Sequence, residues 1–127
     1  MTEYGTTYGV QADDNCRIVV RFDKVRGALD RFVVQLQLQK APETWTTIAQ
    51  IDHAPRDNNG HDLFVEGVHV DIYRQNGRQL KLHPDHAGLP RKPGEVLRVC
   101  TDYLKNHVGW YRKVHEGTIE PKGPPRL

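Results

Sequence analysis

The sequence contains no serine, which excludes the serine nucleophile used by many hydrolases. It has two cysteines, Cys16 and Cys100, far apart and in no C-x-x-C spacing, so a zinc ribbon or dithiol redox motif is not indicated. Free thiols in a reducing compartment are the expectation. No apolar run approaches the roughly 18 residues a membrane helix needs. The start, Met1-Thr2-Glu3-Tyr4-Gly5, has neither the basic residues nor the apolar stretch of a signal peptide. A cytoplasmic chain with no membrane partner is therefore expected. A glycine-rich phosphate loop is also missing, because Gly5, Gly9 and Gly27 lack the spacing and the strand-to-helix setting, and no cofactor is expected.

With 127 residues, the chain is sized for one domain, and such a domain can bury about two thirds of its unfolded surface without a disulfide or metal. A net charge of +2 with neutral histidines is too small to indicate nucleic-acid binding by itself. The distribution is more informative. Arg74, Arg78, Lys81, Arg91 and Lys92 face only Asp85 in the same stretch, a basic cluster that could attract phosphate or simply aid solubility.

Residues 1–15 are polar and without period, and are expected to form a flexible arm. From Arg17 to Asp23, Ile18, Val20 and Phe22 alternate with Arg17, Val19, Arg21 and Asp23, the period of a half-buried strand. Phe32, Val34, Leu36 and Leu38 alternate with Val33, Gln35, Gln37 and Gln39 in the same way. A third strand runs from Thr44 to His53, with Trp45, Ala49 and Ile51 as one set and Thr46, Ile48, Gln50 and Asp52 as the other. Asp57, Asn58, Asn59 and Gly60 mark a turn. The fourth strand, with Val68, Val70 and Ile72 inward, begins at Leu63 or at Val68.

Its hairpin can be read in register. A loop of Gln75, Asn76 and Gly77, with Gly77 left-handed, sets Ile72 against Leu80 and Val70 against Leu82. A two-residue turn would set Ile72 against Lys81, so matching faces favour the longer loop. Asp71 then opposes Lys81, and His69 opposes His83. Pro93 suits a helix first turn. Val96, Leu97, Cys100, Tyr103, Leu104, Val108 and Tyr111 recur at helical spacing, and Gly109 is a place where the helix could bend or end. The expected fold is α+β: an antiparallel meander of four to five strands with one C-terminal helix on one face. The domain spans residues 16–116, followed by a proline-rich extended tail at 117–127.

If the helix covers one face, the other carries Arg17, Arg21, Gln35, Gln37, Asp52, His69, Asp71, Tyr73, Lys81 and His83. Imidazole titrates near neutral pH, a carboxylate can orient it, and Arg or Lys can neutralise charge developing on phosphate. A solvated sheet face with cross-strand ion pairs would have the same composition. His53, His61 and His69, with neighbouring carboxylates, also permit a metal site if the fourth strand starts late, although their spacing matches no known metal motif.

The segments Ile51-Asp52-His53-Ala54-Pro55, His61-Asp62, His69-Val70-Asp71 and Pro93-Gly94-Glu95-Val96 together resemble the small TumE-type toxins of toxin-antitoxin pairs. In that family the strand end reads closer to Tyr-Asp-Asn-Ala-Pro followed by paired histidines. Here one histidine and an Arg-Asp pair stand instead, and a long basic tail follows. The resemblance implies a toxin-like protein acting on RNA and held inactive by a cognate antitoxin-like partner. His69 and His83 would then exchange protons, Asp71 would orient an imidazole, and Arg21 or Lys81 would stabilise the phosphorane. Asp52 completes the candidate set. A non-catalytic module that docks protein or nucleic acid on the same face is the alternative, and a small-molecule enzyme has less support.

Overall fold

Alternation of apolar and polar residues decides which side of each strand is buried, and in the computed structural model six strands obey one common inside. The structure describes residues 4–56, 60–85 and 88–127; the centre of the expected turn, residues 57–59, lies outside the described residues. The strands are β1 (Thr6–Asp13), β2 (Cys16–Val25), β3 (Ala28–Ala41), β4 (Thr44–His53), β5 (Val70–Tyr73) and β6 (Gln79–Leu82). They form one antiparallel meander in sequence order. A short helix, α1 (Leu63–Glu66), precedes β5, and α2 (Pro93–Asn106) and α3 (Val108–Glu116) close the chain.

The core lies between the sheet and α2 and α3. Ile18, Val20, Phe32, Val34, Leu36, Val70 and Ile72 meet Val96, Cys100, Leu104, Tyr111 and Val114, all fully buried. Both cysteines are free and buried. Pro93 occupies the first turn of α2 as expected. Instead of one helix there are two, and the break falls at His107, two residues before Gly109. The backbone hydrogen bonds from His107 to Tyr103 and from Tyr111 to His107 carry the helical pattern across it.

The expected arm is instead a strand. Residues Thr6–Asp13 pair with β2 from Thr6 opposite Phe22 to Asp13 opposite Cys16. As an edge strand with mostly exposed residues, β1 has little reason to show apolar alternation. The tail is extended but anchored. The Leu127 N–H donates to the Asp85 carbonyl, and Ile119 and Leu127 pack against the core. Tyr103 donates its hydroxyl proton to the Pro125 carbonyl at 2.6 Å, so the neighbouring Tyr111 hydroxyl must donate to Tyr103.

One register shift changes the expected faces of β4. Leu36 opposes Ala49 but Gln37 opposes Thr47, leaving Ile48 as the extra residue. Ile48 turns into the core and is fully buried. Trp45, expected on the side of Ile51, moves to the polar face, where the Arg17 guanidinium lies 4.1 Å from its ring. Ile48→Ala is accordingly expected to cost about 2 to 5 kcal/mol. Trp45→Ala should cost about 1 kcal/mol, the scale of an exposed cation–π contact. Urea denaturation of the two variants checks this, and the reverse ranking would mean that strict alternation holds.

Candidate functional site

The polar face takes its most reactive part from three strands in register. Gln50 opposes Asp71, Asp71 opposes Lys81, and Val70 opposes Leu82. Continuing the β5–β6 ladder by one residue and the β4–β5 ladder by two brings His83 and Asp52 to either side of His69. Gly77 takes the left-handed conformation that the hairpin loop requires, with φ 89°. Val70 and Ile72, between the polar residues of β5, are completely buried on the helix side.

Fourth-strand pairing starts late, as one of the two sequence readings allowed, and the preceding residues form α1. Asp62 caps α1 by accepting from the Phe64 N–H at 3.0 Å, while Glu66 accepts from the Asp62 N–H at 2.9 Å. This turn brings His61 beneath the end of β5. Its ring lies 3.7 Å from that of His69, centroid to centroid, and the His69 and His83 rings meet edge to face at 5.9 Å. His61 and His69 are buried, whereas His83 and Lys81 are exposed.

Ligand atoms of Asp52, His69 and Asp71 all lie within 4.8 Å of one another. One carboxylate oxygen of Asp52 and one of Asp71 are buried without a hydrogen-bond partner among the described residues. Burial pushes the Asp52 carboxyl above its ordinary range and Asp71 adds to the rise, while the charges of His61 and Lys81 oppose it. Burial, reinforced by the charges of His61 and Lys81, pushes His69 down to about 4, so its ring is neutral at physiological pH.

Two expected participants lie elsewhere. Arg21 is on β2, three strands from β5, or about 14 Å at the usual strand spacing. Its guanidinium is hydrogen-bonded to Gln35, which in turn donates to Gln50 at 2.9 Å. Arg21 therefore reaches the Asp71 neighbourhood only through two amides. His53 falls on the core side, opposite Phe32, because residues directly opposed across strands share a face. It packs between Phe32 and Phe64 and accepts the Leu63 N–H on Nδ1 at 3.2 Å. The set His53, His61 and His69 is thus divided between two faces. Both ring nitrogens of His61 are also engaged, with Glu66 at 3.1 Å and the Gly67 carbonyl at 3.0 Å.

A shallow hollow of about 350 Å³ adjoins the cluster, lined by Gln35, Thr47, Gln50 and Tyr73. Sequence reasoning placed Gln35 and Tyr73 on this face but missed Thr47 and did not select Gln50. Thr47 reaches it only because of the shift at Ile48. Gln50, two residues before Asp52, could have been found by parity.

These features define a class: a six-stranded α+β meander with helices on one face and a His, Asp and Lys cluster on the other. The chain belongs to the family described as Domain of unknown function (DUF7718), which matches residues 1–120. That match carries no activity and does not link the chain to the TumE-type toxins. No curated protein and no solved structure matches. No helix among the described residues is long and apolar enough to cross a membrane.

Burial also lowers the pKa of His53. In the unfolded chain such rings titrate near 6.5, so between that value and their lowered folded values the unfolded state holds more protons. Stability should fall as pH drops through this window. Asp52 contributes with the opposite sign, since a raised folded pKa favours the folded state on acidification. In chelator-containing buffer the urea midpoint is expected to fall from pH 7 to pH 5, and to fall less in His53→Asn, which keeps an acceptor near Nδ1. An identical pH slope in the variant would mean that His53 is not held neutral by the fold.

Proposed function

We propose that the open sheet face binds single-stranded RNA and that its histidine end cleaves the chain by proton transfer. The observation that carries this reading is the exposed His83 in ring contact with buried His69, beside a Lys81 that opposes Asp71. The adjoining hollow supports an RNA substrate, because two amides, a hydroxyl and a phenol can meet the ring and edge of an unstacked base. Arg17 over Trp45 adds positive charge on the same face, along a backbone path.

The division of labour differs from a symmetrical histidine pair. With its pKa near 4, His69 is a weak base, whereas His83 is open to solvent. His83 would take the proton of a ribose 2′-hydroxyl, whose oxygen attacks the adjacent phosphorus. Lys81 would face the charge developing on the phosphoryl oxygens. The bond to the 5′-oxygen breaks, that oxygen takes a proton from water, and a 2′,3′-cyclic phosphate remains. Under this reading the resemblance to TumE-type toxins extends to regulation, with an antitoxin-like partner covering the face.

A second reading, docking of RNA without cleavage, is favoured by the way Arg17 and Arg21 are held by Gln37 and Gln35, away from His83. Labelled single-stranded RNA incubated with the purified protein separates the two. Cleavage should fall at least about 100-fold in His83→Ala, the scale of one acid-base group, and also in Lys81→Ala, with circular dichroism unchanged. Full activity in His83→Ala would end the catalytic proposal, and binding without cleavage by the unaltered protein would favour docking.

A further inference from the structure

Two carboxylates and a buried imidazole converge at the junction of β4 and β5, and the carboxylates are incompletely satisfied. Asp52 and Asp71 each bury one oxygen with no hydrogen-bond partner among the described residues, and both oxygens belong to side chains neighbouring His69. Leaving such atoms unpaired is costly, and placing two like charges together adds to the cost. Two polar neighbours lie nearby. Lys81 is exposed and directed toward solvent, and His61 is occupied by Glu66 and the Gly67 carbonyl. Neither supplies the missing partner to the two orphaned oxygens.

We propose that Asp52, His69 and Asp71 hold one divalent cation of the first-row d-block, such as Mn²⁺ or Zn²⁺. A nitrogen with two carboxylate oxygens is the donor set such ions take, and it is less suited to Ca²⁺ or Mg²⁺, which favour oxygen alone. The three ligand atoms fall within 4.8 Å of one another. Ligands at about 2.1 Å from an ion lie about 3 to 4 Å apart, so small side-chain adjustments close the site. Asp52 and Asp71 sit on the paired strands β4 and β5, and His69 directly precedes β5 and is buried, which limits the search each side chain makes for that geometry. A fourth position would remain for water or a substrate oxygen, on the solvent side near His83. Here His53 plays no part, and His61 acts as a positioning residue through its ring contact with His69.

The inference deepens the reading of this face as a working site but does not need RNA to be the substrate, and its test is binding. Metal-free protein is titrated calorimetrically with Mn²⁺, with Zn²⁺ and with Mg²⁺, and Co²⁺ absorption reports the ligand set. One equivalent of Zn²⁺ or Mn²⁺ should bind, with Mg²⁺ much weaker. Asp52→Asn, Asp71→Asn and His69→Gln should each weaken binding at least about 100-fold, while His107→Ala, an unrelated histidine, should leave it unchanged. Without metal, Asp71→Asn should raise the melting temperature, because it removes half of the like-charge pair. Binding that is absent, or that persists in all three ligand variants, overturns the metal site, the latter because surface histidines would then be responsible. Cleavage of RNA by protein that binds no metal would leave the functional reading standing without the site. Metal binding without RNA cleavage would do the opposite.

Discussion

The burial of Ile72 is the constraint on which the polar face depends. It is wholly enclosed, and it pairs with Ala49 on one side and Leu80 on the other. Side chains alternate along a strand, so any one-residue slip of β5 would expose Ile72 and Val70 and drive His69 and Asp71 into the core. The free energy of burying two branched side chains, about 1.5 to 3 kcal/mol each, thereby sets the positions of groups on the opposite surface. Reactive residues are held in place by apolar neighbours whose side chains point to the opposite face.

The same arrangement sets up an electrostatic conflict. Asp52 and Asp71 share a partly buried corner, and His69 is kept neutral there by burial and by the positive charges of His61 and Lys81. A fold selected for stability alone would replace such groups with apolar side chains, since buried charge is difficult to compensate. Local rules broken together at one spot, with consistent packing elsewhere, are typical of functional sites. The turn at α1 belongs to this corner as well: Glu66 caps the helix and binds His61, so one carboxylate shapes the loop and fixes the ring beside His69.

Where the sequence misled, local pattern was either weak or interrupted. At the sheet edge β1 shows no apolar period, and only pairing with β2 reveals it as a strand. Ile48 breaks alternation by a single residue, which sends Trp45 to the polar face and brings Thr47 to the hollow. Leu63 to Glu66 could be a strand start by composition, and a capping pair made it a helical turn. The tail looks free until its hydrogen bonds to Tyr103 and Asp85 are seen.

Within β5 and β6 the pattern was strong enough to carry register as well as face. Gly77 fixed the loop, apolar matching fixed the pairing, and His69, Asp71, Lys81 and His83 were placed together correctly. The sequence by itself determined the α+β class, the inward faces of β2, β3 and β5, and this hairpin, because periods of two and of three to four residues are local. Only the tertiary structure decided that His53 turns away from His61 and His69, that His61 lies against His69, and that Arg21 stands three strands away. Those facts depend on which strands are neighbours and where a bulge falls, and neither is encoded in the period of any one segment.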